Sequence, residues 1–479
     1  MNQTFDKKGV TKKSENMSDW YIDVLTKSGM VDYSPVKGCI VYRPLAYSIW
    51  EEVQNYMNQG LKEMGVENSY FPLFIPESFL KKEASHVEGF SPELAVVTYA
   101  GGEELEEKLV VRPTSETIMY TMYAKWIQSH RDLPLKLNQW NNVVRWEKRT
   151  YPFIRGAEFL WQEAHTAHAT HEECWQQVLD ALDLYAKTYE ELMAIPVIKG
   201  LKSQSEKFAG AVNTTTCENI MPDGKALQSC TSHDLGQNFS RAFDVMFQDQ
   251  NGQNQYVHQT SFGYSTRSLG GLVMMHGDDQ GLVLPPRIAP TQIVVIPIGT
   301  DSEVFNVAEK ITNELKSTNL KVKLDNRTDY SLGFKRNEYE LKGVPCRIEL
   351  GQKELEQGII SITLRHNAHK EQIALNALTT RIPQLLEQMQ NEMFQKAKTM
   401  QESMTHEAKN YDEFKEIMQT HKGFIKVYWN ENKDLEAKIK EETKATTRCM
   451  PFDMQTGEAG IDFMTGEKAE KIWLFAQAY

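Results

Sequence analysis

Between Pro44 and Gly65 the apolar residues Leu45, Ile49, Val53, Met57, Leu61 and Met64 recur every three or four positions. That period predicts an amphipathic helix, opened by a proline and closed by a glycine. The apolar run Ser69 to Pro76 then predicts a strand. Because Pro72 has no N–H for a ladder, this strand belongs at a sheet edge or an interface. Residues 133–168 read as two strands joined by a short polar loop. Thr170-x-x-Glu173 is a capping box that opens a helix buried through Trp175, Val178, Leu179, Leu182 and Leu192. Residues 255–287 run from a polar strand into a glycine-punctuated helix, Leu269 to His276, and end at Pro285-Pro286-Arg287.

After Pro290 the texture changes. The run Ile293 to Ile298 is continuously apolar, as in a strand buried on both faces. A helix over 301–317, a strand over 320–324 and strands near 345–350 and 358–365 predict an α/β domain with a mostly parallel sheet. From about 382 to 420 the chain reads as charged helix, and the last stretch mixes helix and short strands. The expected division is a loose arm over 1–18, a first domain over 19–289, a second over 290–385 and a third over 386–479.

The length of 479 residues exceeds a single core and agrees with several domains. No run of 18 or more apolar residues occurs, so no membrane span is expected. The basic, polar N-terminus lacks the apolar centre of a secretory signal. The six cysteines are scattered with no C-x-x-C pair, which fits reduced thiols in the cytoplasm. A net charge of −12 argues against a generally adhesive nucleic-acid binder. Residues 291–385, with 13 Lys and Arg against 12 Asp and Glu, are far less acidic than the rest and permit RNA contact there.

The candidate chemistry begins in the 133–168 hairpin. Val144-Arg145-Trp146-Glu147 ends the first strand, the loop carries Arg155, and Glu158-Phe159-Leu160-Trp161-Gln162-Glu163 begins the return. Two guanidinium forks at one hairpin suit a polyphosphate. Glu147, two residues after Arg145 and expected on the same strand face, can accept from an exocyclic amine. The set reads as an ATP site without a Walker-type loop. On the return strand, alternation places Phe159, Trp161, Glu163, His165 and Ala167 on one face, a mixture suited to a lined pocket. Thr114 and Glu116 of Arg112-Pro113-Thr114-Ser115-Glu116 stand either as a helix cap or as holders of a cationic amine. The polar segment Gln228 to Phe239 suits a ligand floor better than a surface loop. Ser265-Thr266-Arg267 puts an arginine at a helix start, where phosphate is favoured. His165, His168 and His171 have metal-like spacing, but the first two face opposite sides of a strand, so no metal is expected.

Taken in order, RPTSE, VVRWE, EFLWQE, KFAG, TSHDLGQNF, STR and GLVLPPRIAP resemble the motifs of class II aminoacyl-tRNA synthetases, and specifically the archaeal and eukaryotic-like prolyl-tRNA synthetases. The resemblance covers about residues 18–385 closely and the tail more loosely. It implies an α+β catalytic domain on a mainly antiparallel sheet, an α/β anticodon-binding domain and a small α+β C-terminal domain. It further implies that ATP, with Mg²⁺, activates L-proline to prolyl-adenylate, and that the prolyl group passes to tRNA(Pro). By the resemblance Arg145 and Arg267 are catalytic. Arg145, Glu147, Arg155, Gln228, Thr231, Ser265 and Arg267 bind ATP. Thr114, Glu116, Arg145, Trp161, Glu163, His165, Phe208 and His233 form the proline pocket. The helix and strand over 44–76 resemble the part that builds the family's homodimer interface.

Two departures stand out. Relatives with this tail bind zinc through four cysteines, whereas the corresponding region, about 425–466, holds only Cys449, with Trp429 and Ile461 near expected ligand positions. Zinc is therefore not expected. The 119 residues between Glu147 and Arg267 also leave no space for the hydrolytic editing domain of bacterial-type relatives. The alternatives are a non-catalytic synthetase-like RNA-binding protein, opposed by retention of Arg145, Glu147 and Arg267, and a threonine, glycine or histidine enzyme, opposed by TSHDLGQNF and FLWQE.

Overall fold

The computed structural model describes residues 9–80 and 94–479. Its centre is an eleven-stranded sheet. The catalytic part contains β1 (Glu67–Asn68), β2 (Leu135–Val144), β3 (Glu158–His168), β4 (Ile198–Leu201), β5 (Asn213–Ile220), β6 (Ala226–Gly236) and β7 (His258–Ser265). Their spatial order is β4-β5-β6-β7-β3-β2-β1. Every pairing is antiparallel except the short parallel contact of β1 with β2.

Four helices cover one face of this sheet, and a fifth, Glu116–Trp126, packs on the ligand face beside His165. α1 (Met17–Lys27), α2 (Pro44–Glu63), α3 (Glu116–Trp126), α4 (His171–Lys187) and α5 (Arg267–His276) follow in chain order. The capping box forms as the sequence predicts, Glu173 N donating to Thr170 Oγ1 at 3.2 Å, and α4 lies over β5, β6 and β7. Behind the sheet, Trp20, Trp50, Tyr185 and Tyr264 belong to one buried cluster. Gly60 of α2 lets α4 approach, because a Cβ there would strike Leu184. Gly270 of α5 likewise leaves space for Ile154 of the β2–β3 loop.

Of the predicted strand over 69–76 only Phe74–Pro76 forms, and the preceding ladder ends at Asn68. β1 joins the catalytic sheet, and Phe74–Pro76 joins a three-stranded sheet with Ala95–Ala100 and Glu103–Val111. Pro72 sits in the crossing between them, where no ladder donor is needed. The expected loose arm is also corrected for its described part, residues 9–18. Lys13 Nζ donates to the carbonyls of Met274 and Gly277 at 2.6 and 2.8 Å, capping the C-terminal end of α5, and Asn16 caps α1. Residues 1–8 lie outside the described part.

In the second domain the order is Val322–Leu324, Ile293–Pro297, Cys346–Leu350, Ile359–Leu364, Lys370–Ala374. The first two pairings are parallel and the last two antiparallel, so the sheet is mixed rather than mostly parallel. The connections after Leu350 and Leu364 are too short for parallel crossovers. The expected 385/386 boundary falls inside one helix, Leu378–Ser403: Leu385 and Leu386 pack in the second domain, Met389 and Met393 against Ala194 and Val283. That helix ends at Ser403, so the charged stretch over 382–420 is broken by a strand before its second helix, Tyr411–Thr420.

The C-terminal part adds β8 (Thr405–Glu407), β9 (Phe424–Tyr428), β10 (Thr446–Pro451) and β11 (Ile472–Ala476). They continue the catalytic sheet through β10, whose Met450 and Pro451 pair with Leu201 and Gly200 of β4. A Cβ on Gly200 would stand 2.6 Å from the Met450 carbonyl oxygen and 2.7 Å from Cys449 Sγ, so glycine makes this seam possible.

Candidate active site

Strand register builds the site. Across the sheet, His165 lies opposite Ser261, Ser261 opposite His233, and His233 opposite Thr214. In the next row Glu163 faces Gly263, and Gly263 faces Thr231. These rows floor a cavity of about 280 Å³, to which Thr114, Glu116, Arg145, Trp161, Phe208 and Arg267 add walls. A Cβ on Gly263 would meet the Trp161 ring at 3.2 Å, so this position keeps the indole flat on the floor.

The Glu163 carboxylate is fully committed. It accepts from Ser115 N and Oγ, Gln139 Nε2, Asn141 Nδ2 and His165 Nε2, at 2.5 to 3.2 Å. Burial alone would raise its pKa, yet the bonds from His165, Ser115 and Asn141 hold it below the usual carboxylate value. His165 is the reciprocal case. Burial opposes its charge, but Glu116 and Glu163 raise its pKa. Thr114 Oγ1 donates to Glu116 Oε2 at 2.5 Å, and Glu116 is buried at the end of α3 that opens on the cavity. The Thr114–Glu116 segment is therefore more than a helix cap, since Ser115, the cap residue, spends its side chain on Glu163.

On the opposite wall Phe208 stacks on His233 at 4.4 Å. His233 bonds Thr214 Oγ1 through Nδ1 and Thr231 Oγ1 through Nε2, both at 3.0 Å. Burial, with His165 and Arg145 adding to it, pulls its pKa down to about 3, so this ring is neutral. The result is an aromatic wall facing an acidic one, suited to a small ring bearing a cationic nitrogen.

The cations flank that compartment. Arg145 lies over the rings of Trp161 and Phe159, and its Nε donates to Pro113 O at 3.1 Å. Arg267, the first residue of α5, donates to Ile154 O and Gln228 O, both at 2.8 Å. Burial and the nearby Arg155 and Arg145 lower its pKa to about 10, a crowding of positive charge that an anion relieves. Trp161 Nε1, Ser229 Oγ and Ser261 Oγ line the cavity, are buried and make no internal hydrogen bond. A buried orphan of this kind costs about 1–3 kcal/mol unless a ligand or water satisfies it.

The chain also matches models of known families and known relatives. Residues 98–276 match the class II tRNA synthetase core domain (G, H, P, S and T), residues 292–385 an anticodon binding domain, and residues 411–479 the prolyl-tRNA synthetase C-terminal domain. A proline–tRNA ligase of Natranaerobius thermophilus is 49% identical over 100% of this chain and 99% of its own. One from Rubrobacter xylanophilus is 48% identical over 98% of each. The chain belongs to the prolyl-tRNA synthetase family. A crystal structure of the prolyl-tRNA synthetase of Cryptosporidium parvum, complexed with halofuginone and AMPPNP, superposes with a TM-score of 0.94 at 42% identity, covering 98% of this chain and 99% of that one. The chain is therefore a class II aminoacyl-tRNA ligase, and the mainly antiparallel catalytic sheet is the fold the sequence implied.

Of the residues singled out from the sequence, twelve meet at one cavity: Thr114, Glu116, Arg145, Trp161, Glu163, His165, Phe208, Gln228, Thr231, His233, Ser265 and Arg267. Glu147 and Arg155 do not line it. Strand β2 ends at Val144, so Glu147 is not on a strand face with Arg145. It lies in the loop instead, 3.9 Å from Arg155. Arg155 borders an adjoining cavity of about 200 Å³ that shares Phe159 with the first. Phe159, which alternation put on the pocket face without a named role, lines the cavity as well. Sequence reasoning missed Lys202 and Thr214, and only the pairing of β4, β5 and β6 brings them in.

The C-terminal part does not fit a zinc ion. Cys449 is buried among Ile220, Ala226, Phe424 and Leu474, Trp429 is buried, and Ile461 is exposed. Among the described residues no three His, Cys, Asp or Glu side chains converge on a metal-sized site, and no helix is long and apolar enough to cross a membrane.

Proposed function

We propose that this enzyme activates L-proline with ATP and passes the prolyl group to the terminal ribose of tRNA(Pro). The observation that carries the reading is the pairing of two compartments. Arg145 and Arg267 stand over one, and Glu116, His165 and the Phe208–His233 stack enclose the other. A carboxylate oxygen of proline attacks the α-phosphorus of ATP, and the bond to the bridging oxygen of pyrophosphate breaks. The nucleophile is already an anion, so no general base is required. Arg145 and Arg267 neutralise charge that builds on the phosphoryl oxygens, and the fixed walls hold the reactants in line. In the second step a ribose hydroxyl attacks the prolyl carbonyl and AMP leaves.

Glu116 and Thr114 bind the prolinium nitrogen, while Trp161, Phe208 and His233 cover the ring. Glu163, saturated by five donors, sets His165 and Ser115 rather than meeting substrate. Gln228, Thr231 and Ser265 line the nucleotide side, and Arg155, in the adjoining cavity with Glu147 3.9 Å away, would meet the part of ATP that extends beyond it. Mg²⁺ would arrive on the phosphates of ATP, as this ion keeps water and phosphate ligands, and would there neutralise pyrophosphate charge. Zinc has no part in the reading. Residues 292–385 meet the tRNA. The α2 helix and Phe74–Pro76, with Tyr47, Tyr70 and Phe74 exposed, form a homodimer interface, which light scattering at micromolar concentration tests.

The deciding experiment is ATP–pyrophosphate exchange with each of the twenty amino acids. Proline is expected to dominate, with alanine a minor signal, because missing methylenes are worth only about 1–3 kcal/mol each in an apolar pocket. Exchange driven best by threonine, glycine or histidine, or by none, would overturn the reading.

A further inference from the structure

The polar floor of the cavity continues past β5 to the C-terminal part. Beyond Thr214, the same face of β5 carries Thr216 and Glu218, and the chain leaving β4 adds Lys202, which lines the cavity and is 5% exposed. From β10, Arg448 sets Nη2 and Nε at 2.8 and 2.9 Å from Glu218 Oε2. Thr216 Oγ1 donates to Glu218 Oε1 at 3.0 Å, and Lys202 Nζ stands 3.7 Å from that same oxygen. All three charged side chains are buried.

Two cations thus share one carboxylate, and Arg448 has the closer hold on it. The surplus positive charge sits on Lys202, at the cavity wall. Glu206, also on that wall, has a side chain 29% exposed and lies 3.7 Å from Lys440, so water and that lysine attenuate its charge. Glu436, behind the cluster, accepts from Ser203 and Thr447 hydroxyls and forms no ion pair with Lys202 or Arg448 among the described residues. Burial, with Arg448 adding to it, pulls the Lys202 pKa down, and an incoming anion opposes that shift.

We propose that Lys202 binds a phosphodiester of the tRNA 3′ end during transfer, and that Arg448, acting through Glu218, is the positioning residue that aims it. The nucleotide phosphates have Arg145 and Arg267. Lys202 leaves β4, three strands from β7 in the sheet order, and its N–H donates to Thr214 O, so it stands next to the His233 row that floors the amino-acid compartment. A phosphate there belongs to the second substrate of the reaction. This rests on the aminoacylation reading, which proline-dependent exchange by the unaltered enzyme tests separately.

The test compares the two half-reactions in Lys202→Met, Lys202→Arg and Arg448→Lys, each checked for folding by its thermal transition. In Lys202→Met, single-turnover transfer from preformed prolyl-adenylate to tRNA should slow at least tenfold more than pyrophosphate exchange does. Lys202→Arg should recover most of that loss, and Arg448→Lys should show a smaller loss confined to transfer. The salt dependence of transfer should flatten by about 0.7 in log–log slope in Lys202→Met, one phosphate contact to a single strand, which a purely structural role would not change. Equal slowing of both half-reactions would move the anion to the nucleotide and overturn the proposal. Undiminished transfer in folded Lys202→Met would do the same. Should Lys202→Met not fold, Lys202→Gln and Arg448→Lys carry the same comparison.

Discussion

The eleven-stranded sheet has two textures. In its C-terminal part β11 is buried at every position, Ile472 to Ala476, and Phe475 packs its ring against Phe414, Trp429 and Phe463. In its catalytic part, equally buried strands carry Thr214, Thr216 and Glu218, then His233 and Asp234, then Glu163, His165 and Thr166. One part gains stability from apolar area removed from water. The other spends burial on polar groups that are tolerable because they satisfy one another. Gly200 and the Arg448–Glu218 pair join the two, so the apolar part acts as a rigid backing for the polar one.

The largest expected effect strikes the apolar part. Phe475→Ala removes a fully buried ring, and its cost is about 3–5 kcal/mol by analogy with other large core truncations. The early phase of thermal or urea unfolding should shift accordingly. A variant within about 1 kcal/mol of the parent would show that the C-terminal cluster does not back the catalytic strands.

On the polar part the order of effects reverses. Arg145→Ala should leave the unfolding transition nearly unchanged and lower proline-dependent exchange by about 3 kcal/mol or more of transition-state stabilisation. Near-normal exchange in the folded variant would remove Arg145 from the reaction. The same contrast explains which features are legible in the sequence. Alternation along 159–167 reveals a mixed aromatic, acidic and imidazole face by itself, because both the pattern and its cause are local. The commitment of Glu163 to Ser115, Gln139 and Asn141 is not legible, since those donors come from α3 and β2. Neither is the seam, which pairs Gly200 with Pro451 across half the chain. The 69–76 segment misleads because most of its apolar run is the connection between two sheets, and only Phe74–Pro76 joins a ladder. Glu147 misleads because the strand period does not extend past the last ladder residue.

Acid should separate the textures next. Burial pulls the pKa values of His233 and His168 down to about 3 and that of His276 to about 4, from an ordinary value near 6.5. Above pH 6.5 these rings are neutral in both states and add no pH dependence. As pH falls below 6.5 the unfolded chain takes up protons that the folded chain refuses, so stability drops until the folded pKa values are reached. Each histidine contributes up to about 1.4 kcal/mol per pH unit in that window. His165, raised by Glu116 and Glu163, works in the opposite direction. The balance predicts net proton uptake on unfolding between pH 4 and 6, roughly one proton smaller in His233→Gln. An unchanged uptake in that variant would mean His233 is already charged in the fold.

The smallest expected effect is from chelation, and it concerns the apolar part alone. A metal commonly ties together loops that lack a core of their own. Here the loop around residues 460–469 is closed by a carboxylate. Asp462 accepts from Asn430 N at 2.6 Å, Met464 N at 2.8 Å and Thr465 N at 2.9 Å, and Phe463 N donates to Tyr428 O. Phe463 fixes the turn to Phe414 and Phe475, and Cys449 is enclosed at the seam beside Gly200. Prolonged dialysis against a zinc chelator should therefore leave the unfolding midpoint and exchange unchanged, and elemental analysis should find no stoichiometric zinc. Asp462→Ala should destabilise this turn instead, by about 1–3 kcal/mol for the donors left unsatisfied. A chelator-sensitive midpoint would reverse the assignment, making a metal rather than Asp462 the clasp of the C-terminal part.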